Sequence, residues 1–174
     1  PGGGEVTLYE SEGSNSSEIA KTRLSNNSFD FGTIEVSRGF YKIALNNETN
    51  ATNLILNPDE PEVFVDFKTG RMSAAKFAVE SDENTGWFEY NQAEFKNTNE
   101  IRNLRKSIKD AGAFRARIET QIKDKELELI AIQHELIGRY PDTYLAKYLT
   151  WKNPKYATSK GRFFEDIDPM DNSV

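Results

Sequence analysis

The chain has 174 residues, 37% hydrophobic and 29% charged, with 22 Lys and Arg against 28 Asp and Glu for a net charge of −6. That length suits one domain, or one domain with an appendage, and the acidic balance argues against a nucleic-acid backbone as the main partner, because such binding is driven by cationic side chains releasing counterions. Cysteine is absent, which removes disulfides, thiolate zinc sites, cysteine nucleophiles and CxxC redox chemistry from these residues.

The core is lean. Leu, Ile, Val and Phe supply 40 residues, about 23% of the chain, just above the roughly 20% below which sequences tend to stay disordered. The longest apolar runs are a few residues, as at Leu54 to Leu56, far short of the ~20 needed to cross a bilayer. The opening Pro1-Gly2-Gly3-Gly4 reads as a processed end, with no signal peptide visible.

From Glu5 to about Glu80 short alternating runs lie between turn residues, the pattern of antiparallel strands with one wet face. Seven strands are expected. Val6 and Leu8 mark the first, and Gly13 to Ser17 separates it from a second over 18–24. Asn26-Asn27 is a turn, since Asn tolerates positive φ, and leads to Ser28-Phe29-Asp30-Phe31 with both Phe on one face. Gly39 opens a strand through Leu45 that places Tyr41, Ile43 and Leu45 on one side. Leu54 to Leu56 follows, then the rigid turn Asn57-Pro58-Asp59-Glu60-Pro61, then Val63, Val65 and Phe67 alternating with Phe64 and Asp66, and last Lys76 to Val79. Strands at this spacing form a sandwich or a curled open sheet.

After Ser81 the period lengthens. Ser81 to Asn84 supplies an N-cap and early acidic residues, with Trp87, Phe88, Asn91 and Phe95 on one helical stripe. From Ile101 the residues Leu104, Ile108, Ala111, Ile118, Ile122, Leu129, Ile132 and Leu136 fit a heptad seam interrupted by Arg115 and Lys125. This is one long helix, or two joined near Gly112. Gly138 is expected to end it, and after Pro141 either Asp142 or Thr143 caps a short helix through Leu149. The fold class is therefore α+β, with a β module over 1–80, a helical section over 81–150 and a polar tail over 151–174 that carries one aromatic knot at Phe163-Phe164.

Several clusters are candidates for chemistry, each against a plainer role. His134 is the sole histidine, and with no second ligand beside it a helix-surface role outweighs a metal or triad role. Asp59, Glu60, Glu62 and Asp66 form an acidic cluster lacking the spacing, glycine and closing Glu of a calcium loop. A carboxylate pair for glycoside hydrolysis is a spatial feature that no linear pattern displays. Arg102, Arg105, Lys106 and Lys109 fall at i, i+3, i+4 and i+7, one basic helical stripe suited to solvent, to an anionic partner or to lipid headgroups. Tyr41, Phe64, Trp87 and Tyr90 are candidates for an exposed aromatic face that recognises a glycan or an unfolded client. Ile108, Ile118, Ile122, Leu129 and Ile132 serve either a pairing seam or packing within the chain. Sequons stand at Asn15, Asn26, Asn47 and Asn50, competent only in a eukaryotic secretory route. No Walker loop, GxGxxG, GxSxG or HExxH is present.

The order of Gly4-Glu5-Val6-Thr7-Leu8-Tyr9, Asn27-Ser28-Phe29-Asp30-Phe31-Gly32, Gly39 to Leu45, Leu54 to Val63, Ser81 to Asn84 with Glu89-Tyr90, Tyr140 to Leu149 and Phe163 to Asp168 resembles the N-terminal domain of unknown function found ahead of thioredoxin-like domains in Bacteroidetes-type envelope lipoproteins. The resemblance spans nearly the whole chain through soft strand and turn patterns. It implies a periplasmic thiol-disulfide oxidoreductase or peroxiredoxin-like protein tethered by a lipidated cysteine, with the active site in the thioredoxin-like domain, so no catalytic residue carries over. The expected role is then a non-catalytic accessory module without a cofactor. It would position the redox domain of the same polypeptide, form a homodimer, or contact a protein client or glycan, with the membrane reached only through the lipid anchor. A glycan- or peptide-binding β module and a carboxylate-dependent hydrolase are the alternatives.

Overall fold

The computed structural model describes residues 4–12, 15–60, 62–67, 71–72, 76–77 and 81–152. The tail over 153–174 with Phe163-Phe164, the tip of the Gly13 to Ser17 loop and the end of the strand expected over 76–79 lie outside the described residues. The class is α+β. Two compact units, Pro1–Phe88 and Glu89–Val174, divide within a helix.

In the first unit β1 (Glu5–Glu12), β2 (Asn15–Arg23), β3 (Gly39–Leu45) and β4 (Ala51–Leu56) form an antiparallel sheet in the order β2-β1-β3-β4. Register follows the apolar alternation. Val6 stands opposite Leu45 and Leu8 opposite Ile43, while Tyr41 stands opposite Leu54, so one face collects Val6, Leu8, Tyr41, Ile43, Leu45 and Leu54 with Met72 against it. A slip of one residue would turn all of these to the other face. Ile34, Val36, Val63, Val65 and Phe67 pack against this core from the connections, as do Phe29 and Phe31, whose rings meet edge to face at 5.6 Å. Gly4 lies in close approach to the β3–β4 connection: a Cβ there would stand 2.8 Å from Asn46 Oδ1, which accepts the Glu5 N–H, so that side chain would have to move.

Among the described residues there are six strands where seven were expected. β5 (Val65–Asp66) and β6 (Lys76–Phe77) pair only with each other. The expected strand over 28–31 is a correction. Asn26 and Asn27 take φ of 51° and 63° as a tight turn requires, but only the Ser25–Ser28 bridge forms. Both Phe side chains instead turn onto the core, and their burial outweighs extension of a two-stranded ladder.

α1 (Asp82–Ser107) begins where the cap residues place it. Ser81 Oγ accepts the Asn84 N–H at 3.1 Å, satisfying one of the four amides a helix start leaves open, and Asp82 and Glu83 complement the dipole. Its first turns lie along β4, the edge strand. Asn84 Oδ1 accepts the Ile55 N–H at 2.8 Å and its Nδ2 donates to the Ile55 carbonyl at 2.7 Å, while Trp87 Nε1 donates to the Asn53 carbonyl at 3.1 Å. One side-chain amide thus stands where a further strand would pair, closing an edge that is otherwise a template for aggregation.

In the second unit α1 and α2 (Arg115–Arg139) form an antiparallel hairpin. Glu89 meets Arg139, Tyr90 meets Gln133 and Glu100 meets Lys125, so numbers rise on one helix as they fall on the other. The sequence left one helix or two; two are present, separated by short 3₁₀ turns over Ile108–Asp110 and Gly112–Phe114. Gly112 sits at φ 47°, a region that costs a side-chain-bearing residue energy. Gly138 does not end α2. The helix runs through Arg139, and Tyr140 closes it by donating to the Leu136 carbonyl at 2.9 Å. Thr143 caps α3 (Tyr144–Lys152) by accepting the Ala146 N–H at 3.0 Å, and Leu145, Ala146 and Leu149 are buried.

Candidate functional site

The aromatic face expected of Tyr41, Phe64, Trp87 and Tyr90 does not exist as an exposed surface. Tyr41, Trp87 and Tyr90 are 1%, 7% and 0% exposed, and only Phe64, at 55%, remains open. The reason is local. Tyr41 lies on the core face of β3, where its hydroxyl donates to the Ser37 carbonyl at 2.9 Å and accepts the Ser37 N–H at 3.1 Å. Burial pushes this phenol up from its usual value, and the Glu10 carboxylate beside it adds to the effect. Trp87 packs against Phe40 with ring centres 4.8 Å apart and planes tilted by 59°. The stripe continuing Trp87 to Phe95 is also a correction, since Phe95 is 73% exposed. The covered face of α1 instead runs through Tyr90, Asn97, Ile101 and Leu104.

The acidic cluster does not converge. Asp59 pairs with Arg38, and Glu60 Oε2 accepts the Ser81 hydroxyl at 2.9 Å. Burial raises the Glu60 carboxyl; the Ser81 hydrogen bond opposes this, and the charge of Glu83 adds to it. Among the described residues no group of three or more His, Asp and Glu side chains is placed to hold a metal ion. His134 is exposed on α2. Of the sequon residues Asn15 and Asn47 are exposed, Asn26 sits in the tight turn, and Asn50 is engaged, its Oδ1 accepting the Met72 N–H at 2.8 Å.

Ile122 is buried, and Ile108, Ile118, Leu129 and Ile132 are half-buried by this chain alone. The seam expected to pair two copies is therefore largely used within the chain.

What the helical unit brings together instead is a polar cluster. Tyr90 donates to Glu94 Oε1 at 2.8 Å and accepts from Gln133 Nε2 at 3.4 Å. Lys152 donates to the same Glu94 oxygen at 2.7 Å and lies 5.0 Å from the Tyr90 ring centre and 5.4 Å from that of Tyr148, so an ammonium sits against two aromatic faces. Burial pulls this ammonium down, but Glu94 and the two tyrosines together hold it above its ordinary value. Tyr90 is raised by burial, against the pull of Lys152 and Gln133. The Asn97 Oδ1 and Gln133 Oε1 atoms are buried and accept no hydrogen bond among the described residues. A signal for this layer was present: counting back from Ile101 by four and three gives 97, 94, 90 and 87, which carries the heptad seam through polar residues.

The basic stripe is the one expected surface that the fold leaves open. Arg102, Arg105, Lys106 and Lys109 are all exposed. Thr98, Ile101, Arg102, Arg105 and Lys106 line an open groove of about 450 Å³. Arg105 is tied to Glu126 at 3.3 Å and Arg102 to the Asn99 amide oxygen at 3.1 Å, while Lys106 and Lys109 have no ion pair among the described residues. No described helix is long and apolar enough to cross a membrane. Comparison of the chain with protein-family models, with curated proteins and with solved structures finds no match.

Proposed function

We propose that this chain is a non-catalytic accessory module of a cell-envelope thioredoxin-like protein, holding or presenting the redox domain while the thiol chemistry takes place on that domain. The observation that carries the reading is the total absence of cysteine in a sequence whose strand, turn and helix order resembles that module. Thiol-disulfide exchange proceeds only through a thiolate. The open face of the helical unit, with Arg102, Arg105, Lys106 and Lys109 exposed, supports the same reading, since a charged helical surface suits contact with another domain.

The test joins the chain to a thioredoxin-like domain and compares insulin-disulfide turnover by the chain alone, the domain alone and the joined protein. The chain alone is expected to be inert, and the joined protein to keep the domain's kcat while its KM for an unfolded client changes. Turnover of any substrate by the chain alone would overturn the reading, as would identical kcat and KM in the domain and the joined protein.

A further inference from the structure

We infer that the end of the α1–α2 hairpin is a docking site for an anionic phospholipid surface, with Phe114 as its apolar anchor. This goes beyond the accessory role and does not rest on it. The first observation is charge. Residues 102–117 hold six basic side chains and one acidic one, a local +5 in a chain of net −6, which is still +3 when Glu126 and Glu119, paired with Arg105 and Arg115, are counted with it. Exposed charges more than about 10 Å apart are screened from one another at physiological salt, and an anionic leaflet therefore meets this hairpin end as a cation despite the acidic remainder.

The second observation is an exposed aromatic at the centre of that charge. Phe114 is 67% exposed in the 3₁₀ turn joining the helices, beside Ala111, Gly112 and Ala113, with Lys109 before it and Arg117 after it. Arg102, Lys106, Lys109 and Arg117 have no ion pair among the described residues, whereas Arg115 is held by Glu119 at 2.9 Å. The open groove along Arg102, Arg105 and Lys106 continues the cationic surface up α1, and Phe95, 73% exposed, lies seven residues before Arg102 on the same helical face.

The third is position. α3 packs beside Tyr90 and Glu94 through Lys152, at the opposite end of the hairpin. Eighteen residues of helix at about 1.5 Å each put Ile108 roughly 27 Å from Tyr90. A turn with an apolar centre and a basic surround suits a flat interface, where an aromatic side chain enters the headgroup layer and lysines and arginines remain beside the phosphates. The phosphodiester of a lipid headgroup is the anion that such a surface meets. Nucleic-acid readout would instead use a groove-inserted element or stacking platforms.

Flotation of the full chain with phosphatidylcholine vesicles, with and without phosphatidylglycerol, tests the inference. Binding is expected only to the vesicles containing phosphatidylglycerol, and it falls as salt is raised. Each unit of charge near an anionic leaflet is worth roughly fivefold, so K106E/K109E, which changes the charge by four, should lower partitioning by nearly three orders of magnitude. Phe114→Ser should lower it about tenfold. Both variants change exposed residues and should leave the thermal melt in place. In Phe114→Trp the new indole should shift to the blue on binding and be quenched by nitroxide lipids. Equal binding to pure phosphatidylcholine, unchanged binding in Phe114→Ser, or tighter binding to duplex nucleic acid or polyglutamate than to vesicles would overturn it.

Discussion

The sheet unit and the helical unit both bury amide side chains, and they use them in opposite ways. Asn84 is fully buried, and both ends of its side chain are satisfied: Ile55 on each amide atom, with Ser81 Oγ 3.0 Å from Nδ2. Asn97 and Gln133 are nearly as buried, yet each has an amide oxygen without a donor among the described residues. A satisfied buried amide costs little and fixes geometry, whereas an orphaned acceptor carries its desolvation penalty unrelieved. The same functional group therefore stabilises one unit and taxes the other. In the helical unit that tax falls at Asn97, on the backward extension of the heptad seam, and at Gln133 beside it, and polar residues in such a layer set register and orientation at a cost in stability.

The contrast is broken most severely at Asn84. Asn84→Leu leaves the Ile55 N–H and carbonyl facing an apolar side chain and should cost about 3 kcal/mol, read as a lower urea midpoint. A loss within the range of an ordinary surface substitution would show that water takes over the β4 edge. Asn97→Leu should act with the opposite sign, raising stability by about 1 kcal/mol as the orphaned acceptor is removed. A clear loss of stability in this variant would show that the amide is satisfied in solution.

The smallest effect is expected at Glu60, which stands in the satisfied network but is raised by burial. Because its folded carboxyl binds its proton more tightly than the unfolded one, the unfolded chain ionises first as pH rises. Stability is then lost across the window just above the ordinary carboxylate range. Glu60→Gln keeps an acceptor for Ser81 and should raise stability slightly at neutral pH, by about a few tenths of a kcal/mol after solvent screening, read as a small rise in melting temperature. The gain should vanish at roughly pH 4 and below, where both states of the parent are protonated. A gain that persists in acid would assign the effect to packing.

Much of the β portion was legible because its rules are local. Val6 and Leu8, Tyr41, Ile43 and Leu45, and the Val63, Val65 and Phe67 alternation all face the core as their period of two requires. The failures share one cause. Ser28 to Phe31 has the pattern of a strand, but no neighbour offers it a ladder, and its rings serve the core from a loop. The aromatic face failed because exposure is not a property of a residue type. Tyr41, Trp87 and Tyr90 carry large apolar area, and burial gains more from them than display does. The basic stripe survived because burying Arg102, Lys106 and Lys109, which have no ion pair among the described residues, would desolvate charges that nothing there compensates.

Composition and periodicity alone determined the α+β class, the cap at Ser81, the basic helical face and the exclusion of thiol chemistry, and narrowed the α3 cap to Asp142 or Thr143 and the long helix to one piece or two joined near Gly112, since each depends on residue type or on spacing along one segment. Tertiary structure decided which aromatics are hidden, that Asn84 closes the β4 edge, and that Tyr90, Glu94, Gln133 and Lys152 meet. Those outcomes depend on groups distant in sequence competing for the same neighbours and the same water, and spacing along a single segment does not encode that competition.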